Sequence, residues 1–418
     1  MSRPGANLGA GRYITANDVP HSTVVSAHEL TTHDGATVAG LLRTVPGATT
    51  VAVLMHPRQD FSHHVLVPEL LRHGYAVWTQ NTRTGLNDMT LLHEQALLDM
   101  AAGHLFLREY GFDHVVSVGH SGGAALATYY IEQASLEPGL RDHTTPGGKP
   151  VPLQDATMPV PDGLLLMAPH VGQGKLLERV IDPSVTDEDD PLSVDPMLDP
   201  YNPANGFQAP PNSSHYTGEF VHEYRRAQRD RVQQIDERAR ERVAESARAR
   251  SRYSSTHDAV DRREALASGV IVVHRTDADL RSVDLSIDRN ERPYGSLFGS
   301  RPDLTNYGIV GFGRVTTPEA WLSTWSALSS RADLIRCAGG VRVPVLLVEL
   351  TGDQACFPAD ARAMIEAFGS DDKAHVRVAG KHFGAALVEG RTSGATLAGE
   401  SMAKWLGLRF PTIAVVSM

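Results

Sequence analysis

Cysteine and lysine are both scarce in this sequence of 418 residues, which contains two cysteines, Cys337 and Cys356, and five lysines beside 34 arginines. Two cysteines cannot form a disulfide framework, so we expect two buried thiols in a reducing compartment. No apolar run approaches the roughly 20 residues that span a bilayer. No apolar segment typical of a secretory signal follows Arg3. These absences predict a soluble cytoplasmic protein with no membrane partner.

Basic residues do not outnumber acidic ones: 39 Lys plus Arg stand against 49 Asp plus Glu, a formal net charge of −10. A general nucleic-acid-binding protein needs a basic surface, so we predict no nucleic-acid partner. The His-Glu pairs that begin at positions 28, 93 and 222 all lack a second histidine four residues after the first, which excludes the common zinc signature. The sequence also contains no P-loop and no dinucleotide fingerprint. We therefore predict no metal and no cofactor.

Apolar segments typical of buried strands alternate with helical patterns in the first part of the chain. Such alternation predicts an α/β fold with a mostly parallel central sheet flanked by helices. Strands are predicted over residues 23–31, 36–45, 50–55, 75–80, 114–118 and 163–167, and helices over 65–73, 91–109 and 122–132.

The alternation stops at Val171 and resumes after about Arg314. Between them, residues 218–250 predict a long helix that carries charges of both signs. The simplest interpretation is one α/β domain in two pieces, separated by an insertion of about 145 residues. After the insertion, helices are predicted over 318–328, 359–368 and 392–408, and strands over 343–350 and 375–378.

The sharpest motif is Gly119-His120-Ser121-Gly122-Gly123, a G-x-S-x-G match between a predicted strand and a predicted helix. A nucleophilic serine on a strained strand-to-helix turn needs small residues on both sides. A serine also needs a base to take its proton, and the base needs an acid to orient it. Ser121 is therefore a candidate nucleophile, with an incidental serine in a Gly-rich turn as the alternative.

An acid and a histidine follow Ser121 in the expected order, each in a loop after a predicted strand: Asp353 and His382. Glu349 is the second candidate for the acid, although it lies within its strand, and His375 is a poorer candidate for the base for the same reason. On Ser121, Asp353 and His382, and on the strands around them, the chain resembles the α/β-hydrolase superfamily. The resemblance covers about two thirds of the chain.

The resemblance implies an α/β-hydrolase fold with a triad in which Ser121 is the nucleophile, His382 the general base and Asp353 the orienting acid. It also implies a cap, because superfamily members commonly carry one after the strand that precedes the insertion. We accordingly divide the chain into a first core part (1–170), a mainly helical or irregular cap (171–315) and a second core part (316–418). The charged helix of the cap is either a solvent-facing arm or the contact of a homodimer.

Two backbone N–H groups are expected to form the oxyanion hole. One is that of Gly122, directly after the nucleophile, and the other comes from the loop after the third strand. Pro57 in that loop has no N–H, so Arg58 is the predicted donor, with Gln59 as the fallback.

Further residues are expected near a substrate, because the carboxyl ends of the strands meet at one edge of the sheet. Arg83 either pairs with a substrate carboxylate or closes its own loop by hydrogen bonds. His120, inside the elbow, is expected to pack or hydrogen-bond there rather than to act in catalysis. The candidates for substrate contact are His56, Arg83, His120 and His170.

These residues predict a serine hydrolase that cleaves an ester-like bond of a small molecule through an acyl-enzyme on Ser121. An amidase, a thioesterase or a C–C bond hydrolase would use the same triad. A non-catalytic α/β-hydrolase-like binding protein is the alternative from another class.

Overall fold

The computed structural model describes residues 19–85, 87–267 and 269–412. The strands in these ranges follow the predicted segments closely, and two short strands occur in addition within the region of the insertion. The strands are β1 (Val24–Thr31), β2 (Thr37–Thr44), β3 (Thr50–Met55), β4 (Ala76–Gln80), β5 (His114–His120), β6 (Gly163–Met167), β7 (Ile271–Val272), β8 (Val315–Thr316), β9 (Val345–Leu350) and β10 (Lys373–Val378).

Eight of these strands form one sheet in the order β1-β2-β4-β3-β5-β6-β9-β10. Strand β2 runs antiparallel to both of its neighbours, whereas all pairs from β4 to β10 are parallel. This order, with its single reversed strand near one edge, is that of the α/β-hydrolase fold. The predicted fold class is confirmed.

Helices cover both faces of the sheet. Helices α2, α3, α9 and α10 share one apolar cluster, and α1 and α11 share the other. The helices are α1 (Leu66–Arg72), α2 (His93–Tyr110), α3 (Gly122–Ser135), α4 (Gln173–Val180), α5 (Gly218–Thr256), α6 (Ala259–Leu266), α7 (Pro302–Thr305), α8 (Pro318–Ala320), α9 (Leu334–Ala338), α10 (Pro358–Ala367) and α11 (Gly394–Gly407).

Successive residues of the central strands contribute to opposite clusters, as the period of two in a strand requires. In β9, Leu347 packs with α3 and α9, while Leu346 and Val348 pack with α11. All six residues of β9 are buried. A strand that is buried on both faces reads as a continuous apolar run, which is why sequence patterning located it.

The region between β6 and β9 builds a separate apolar cluster. Its centre is formed by α4 and by α5, a helix of 39 residues that spans about 58 Å. Val232, Ile235 and Ala239 lie on one side of α5 and pack against Leu177 of α4. The predicted long helix over residues 218–250 is confirmed, and only a narrow stripe of it is buried.

The predicted helix over residues 318–328 is wrong. The chain instead forms the short α8 and then a π-helical turn, Trp321–Trp325. The reason is tertiary packing, because Trp321 and Trp325 are fully buried in the cluster with α4 and α5. The indole N–H of Trp321 donates to Asp236 of α5 at 2.7 Å. The division at residues 170 and 315 stays a prediction, although these two tryptophans, assigned to the second core part, contact the insertion.

Among the helices that the structure describes, none combines the length and the apolar character that crossing a bilayer requires.

Candidate active site

Ser121 occupies the turn between β5 and α3, with φ 54° and ψ −124°. This left-handed backbone is unfavourable for a residue with a side chain, at a cost of about 1–3 kcal/mol. The small neighbours are required by space: a Cβ on Gly119 would lie 2.5 Å from the Cα of Ala124, and a Cβ on Gly123 would lie 2.6 Å from the carbonyl oxygen of Met55. The turn therefore has the geometry of a nucleophile elbow.

An unbroken hydrogen-bond chain joins Ser121, His382 and Asp353. The Oγ of Ser121 lies 3.1 Å from Nε2 of His382, and Nδ1 of His382 lies 2.9 Å from both carboxylate oxygens of Asp353. His382 and Asp353 are buried, while Ser121 is half-buried. The structure thus brings together the three residues that the sequence singled out.

Asp353 is fixed in the orientation that this chain requires. Its Oδ1 also accepts hydrogen bonds from the backbone N–H groups of Ala355, at 2.7 Å, and Cys356, at 3.0 Å. Its carbonyl oxygen accepts from the side-chain amide of Asn290 at 2.8 Å. Asn290 belongs to the insertion, and no motif around it could have indicated this role from sequence.

Glu349, the second candidate for the acid, is occupied elsewhere. Its carboxylate lies 2.9 Å from Nε2 of His375 and 3.0 Å from Nε of Arg377. These two partners lie on the neighbouring strand β10, so the three side chains form an ion-pair group across the sheet edge.

Two further histidines, His120 and His64, form hydrogen bonds that connect the elbow to the loop of His382. Nε2 of His120 lies 2.9 Å from the carbonyl oxygen of His382. Nδ1 of His120 lies 2.8 Å from Nε2 of His64. Since a carbonyl only accepts, the proton of His120 is on Nε2, and His64 donates to its Nδ1. Burial lowers the pKa of His64 to about 3 and holds that of His120 well below its usual range. Both ring nitrogens of His120 are therefore engaged with the protein, which does not fit a substrate contact by this residue.

The loop after β3 folds around His56. The backbone N–H groups of Arg58 and Gln59 both donate to Nδ1 of His56, at 3.0 and 2.9 Å. Burial and the nearby Arg58 hold the pKa of His56 well below its usual range, so the ring is neutral with its proton on Nε2. The N–H of Arg58, predicted for the oxyanion hole, points at a histidine ring here.

The side chain of Arg58 connects this loop to the insertion. Its Nε lies 2.6 Å from a carboxylate oxygen of Asp88. Its guanidinium lies over the rings of Trp325, 4.6 Å from the centroid, and Phe312, at 5.5 Å. Of these partners, Phe312 belongs to the insertion, so Arg58 joins the loop after β3 to the insertion.

Arg83 closes its own loop. Its backbone N–H and Nε donate to the two carboxylate oxygens of Asp99, at 2.9 and 2.8 Å. Its terminal nitrogens donate to Asp34 at 2.5 and 2.8 Å. Of the two interpretations of Arg83, the geometry matches loop closure, because its donors already face carboxylates of the protein.

His170 and Gln173 form the wall beside Gly122. A Cβ on Gly122 would lie 2.3 Å from Nε2 of Gln173 and 2.9 Å from Nε2 of His170. Nδ1 of His170 accepts from the N–H of Gly172 at 3.1 Å, and burial lowers the pKa of His170 to about 3. Glycine at position 122 therefore leaves room for two polar side chains next to the nucleophile. His170 was predicted from the sequence to contact a substrate, whereas Gln173 was not predicted.

A cavity of about 390 Å³ lies between α4 and the core, and His170 and Ala355 are part of its wall. The cavity is near Ser121 on one side, because His170 also lies beside Gly122, the residue after Ser121. Among the cationic residues of the lining, Arg229 and Arg281 pair with acidic side chains. Lys175 and Arg179 form no ion pair with any residue that the structure describes. The lining also contains Glu178, Asp333 and Asp360, so its formal charge is one positive.

No protein-family profile matches the chain, and no curated protein matches it. Solved structures with similar folds include the esterase domain of a Rhodothermus marinus protein (TM-score 0.43, 12% identity, 92% of this chain and 98% of that chain). The α/β hydrolase GrgF from Penicillium sp. sh18 has a TM-score of 0.45 and 12% identity over 86% of this chain and 91% of its own. An α/β fold family hydrolase from Bacillus anthracis str. Sterne has a TM-score of 0.39 and 11% identity over 91% and 96%. The fold assignment rests on the chain's own strand order.

Proposed function

We propose that this α/β-hydrolase-fold protein is a serine hydrolase that cleaves an ester-like bond of a small molecule. The observation that supports this most is the hydrogen-bond chain from Ser121 Oγ through His382 to Asp353. A nucleophile, a base and an orienting acid within hydrogen-bond distance are what acyl transfer by a serine requires. The strained backbone of Ser121 is a second support, because such strain is typical of functional sites.

In the proposed reaction, Ser121 Oγ attacks the substrate carbonyl carbon while His382 Nε2 takes the hydroxyl proton. Asp353 holds Nδ1–H of His382 and stabilises the imidazolium that forms. The C–O bond to the alcohol then breaks, and His382 gives its proton to the departing oxygen. Water, deprotonated by the same nitrogen, attacks the acyl-enzyme, and the proton returns to Ser121 as the acid is released.

The cavity lined by His170 supports a small substrate, since about 300–1,000 Å³ is the usual size of a small-molecule site and this cavity has about 390 Å³. Lys175 and Arg179 favour an acid or alcohol part that carries a negative charge. A thioester, an amide and a C–C bond are the alternatives to the ester, because the same three residues serve all four.

The test is labelling with a fluorophosphonate and hydrolysis of p-nitrophenyl acetate. We expect the probe to label Ser121 covalently, which mass spectrometry identifies. Ser121→Ala should lose both the labelling and the hydrolysis of p-nitrophenyl acetate. A matched control is Ser117→Ala, because Ser117 Oγ also lies 2.9 Å from a histidine Nε2, that of His104, but on a regular strand. Ser117→Ala should keep both the labelling by the probe and the hydrolysis of the ester.

Folded wild-type protein that is neither labelled nor active on activated esters would contradict the proposal and favour the binding-protein alternative. Comparison of matched p-nitrophenyl ester, thioester and anilide substrates then identifies the bond. Comparison of neutral with carboxylate-bearing esters tests the proposed charge preference.

A further inference from the structure

Gln173 carries the most unusual side chain near the triad. The residue is fully buried, yet neither its amide nitrogen nor its amide oxygen has a hydrogen-bond partner in the part of the chain that the structure describes. Leaving a buried amide unpaired is unfavourable for folding. Such a group indicates a site where a partner from outside the protein binds.

The backbone of Gln173 is held in a narrow slot. A Cβ on Gly172, whose φ is 148°, would lie 2.2 Å from the carbonyl oxygen of Ala332, and a Cβ on Gly174 would lie 2.4 Å from that of Ser326. Both clashes are with backbone atoms, so the glycines are required for this close approach. The start of α4 is thereby fixed, and with it the direction in which the Gln173 side chain leaves the backbone.

The amide nitrogen of Gln173 lies close to the N–H of Gly122. The ideal Cβ position of Gly122 is 2.3 Å from Gln173 Nε2, and covalent geometry puts a Cβ about 2.5 Å from its own backbone nitrogen. The two nitrogens are therefore at most about 4.8 Å apart. One oxygen atom at about 2.9 Å from each of them can accept from both.

The oxyanion hole needs a second N–H donor beside that of Gly122. As the first residue of α3, Gly122 has an N–H without a partner inside its helix. The N–H groups of Arg58 and Gln59, expected to complete the oxyanion hole, both donate to His56. Side-chain amides serve as oxyanion donors in other hydrolases.

We propose that the side-chain N–H of Gln173 is the second donor of the oxyanion hole, acting together with the backbone N–H of Gly122. This inference rests on the proposed serine hydrolase function. When the bond from Ser121 Oγ to the carbonyl carbon forms, the π electron pair moves to the carbonyl oxygen, which accepts from both N–H groups. The pair returns when the bond to the leaving group breaks, and Gln173 keeps its protons throughout.

The test is Gln173→Met, which keeps the length of the side chain and removes both polar atoms. Using p-nitrophenyl acetate, we expect kcat per labelled site to fall by about 10²–10³-fold, with KM changed by less than about threefold. Because the replaced amide is buried and unpaired, Tm should not fall. Gln173→Glu, which puts an acceptor in place of the donor, should lower kcat at least as far and serves as the second variant if Gln173→Met does not fold.

The matched control is Gln228→Met. Gln228 is also fully buried in the insertion, but its amide nitrogen donates to the carbonyls of Arg179, at 2.9 Å, and Ile181, at 2.7 Å, and its oxygen accepts from Arg225. This variant should lower Tm and leave kcat unchanged, the opposite pattern.

Wild-type kcat in Gln173→Met would overturn the inference, and so would a raised KM with unchanged kcat, which describes a contact with the bound substrate only. These results leave the serine hydrolase proposal intact as long as the fluorophosphonate labels Ser121. Failure of wild-type protein to react with the probe would overturn both proposals.

Discussion

The ring of His120 donates a hydrogen bond to the backbone carbonyl of His382 across 2.9 Å, and this bond ties the nucleophile elbow to the loop that carries the proposed base. The same ring accepts from His64, whose Nδ1 accepts from the backbone N–H of Leu66 at the start of α1. Ser121 and His382 are therefore held relative to each other by a buried chain that reaches from α1 to the histidine loop.

Replacing His120 tests this relationship. His120→Phe keeps a ring but removes the hydrogen bond to the carbonyl of His382 and the one from His64, at a cost of about 1–3 kcal/mol each. We expect lower stability and a fall in kcat of at least about tenfold at nearly constant KM, because the position of His382 becomes less well defined. Stability is measured by urea unfolding, and kinetics are measured well below Tm.

His104→Phe is the matched control for this prediction. His104 is equally buried, with hydrogen bonds at 2.9 Å to the Met100 carbonyl and to Ser117, but it lies on α2 away from the triad. It should lose a similar amount of stability and keep its kcat. Equal loss of kcat in both variants would show that His120 acts through general stability alone.

Asp353→Asn should abolish most of the activity at little cost to the fold. The remaining oxygen can still accept from Ala355 and Cys356, but an amide nitrogen facing His382 Nδ1 favours the tautomer with its proton on Nε2, which cannot take the proton of Ser121. We expect kcat to fall by about 10⁴-fold. Glu349→Gln, at the other candidate acid, should leave kcat unchanged; the reverse result would reassign the acid.

The elements whose pattern is local could be predicted from the sequence. Strands such as β9 read as apolar runs because both faces are buried, and Ser121, Asp353 and His382 were found because each follows a strand in the order that the chemistry needs. The short helix α4 was missed because its eight residues form only about two turns, in which the helical spacing of Leu176, Leu177 and Val180 is too brief to stand out.

The residues around the triad were less predictable for the same reason. Gln173 and Asn290 carry no motif, and only the folded chain brings them to Gly122 and Asp353. Arg83 looked available to a substrate because its partner Asp34 lies 49 residues away in sequence. Long-range partners of this kind cannot be read from one sequence, since spacing gives no information about them.

Arg83→Met separates a structural role of this residue from a substrate contact. The side chain of Asp99 is fully buried, so removing the guanidinium leaves a buried carboxylate without its cation, although the backbone N–H of residue 83 still donates to it. Such a loss costs about 3–5 kcal/mol. We expect lower stability in urea but unchanged KM for neutral and carboxylate-bearing esters alike. Arg252→Met, which breaks an exposed ion pair with Asp261, should leave stability nearly unchanged. A selective rise in KM for charged esters would restore the substrate interpretation of Arg83.

Glu94 should make the stability of the protein fall as pH rises towards neutrality. Burial raises the pKa of this fully buried carboxyl from 4.5 to about 7, and its Oε1 has no partner among the described residues. The folded state then keeps a proton that the unfolded chain releases above about pH 4.5, so the free energy of unfolding decreases up to about pH 7, in total by roughly 3 kcal/mol.

Glu94→Gln removes this titration and keeps the shape of the side chain, whose Oε2 accepts from Ser323 Oγ at 2.7 Å. Relative to wild type, the variant should therefore gain stability between pH 4.5 and 7 and hold that gain at higher pH. Calorimetry from pH 4 to pH 8.5 measures the difference in Tm. Glu241→Gln, at an exposed position of α5, is the control, and its difference in Tm from wild type should not change with pH. A flat difference for Glu94→Gln as well would mean that the carboxylate is already charged in the folded state at acidic pH, with a partner for Oε1 such as bound water.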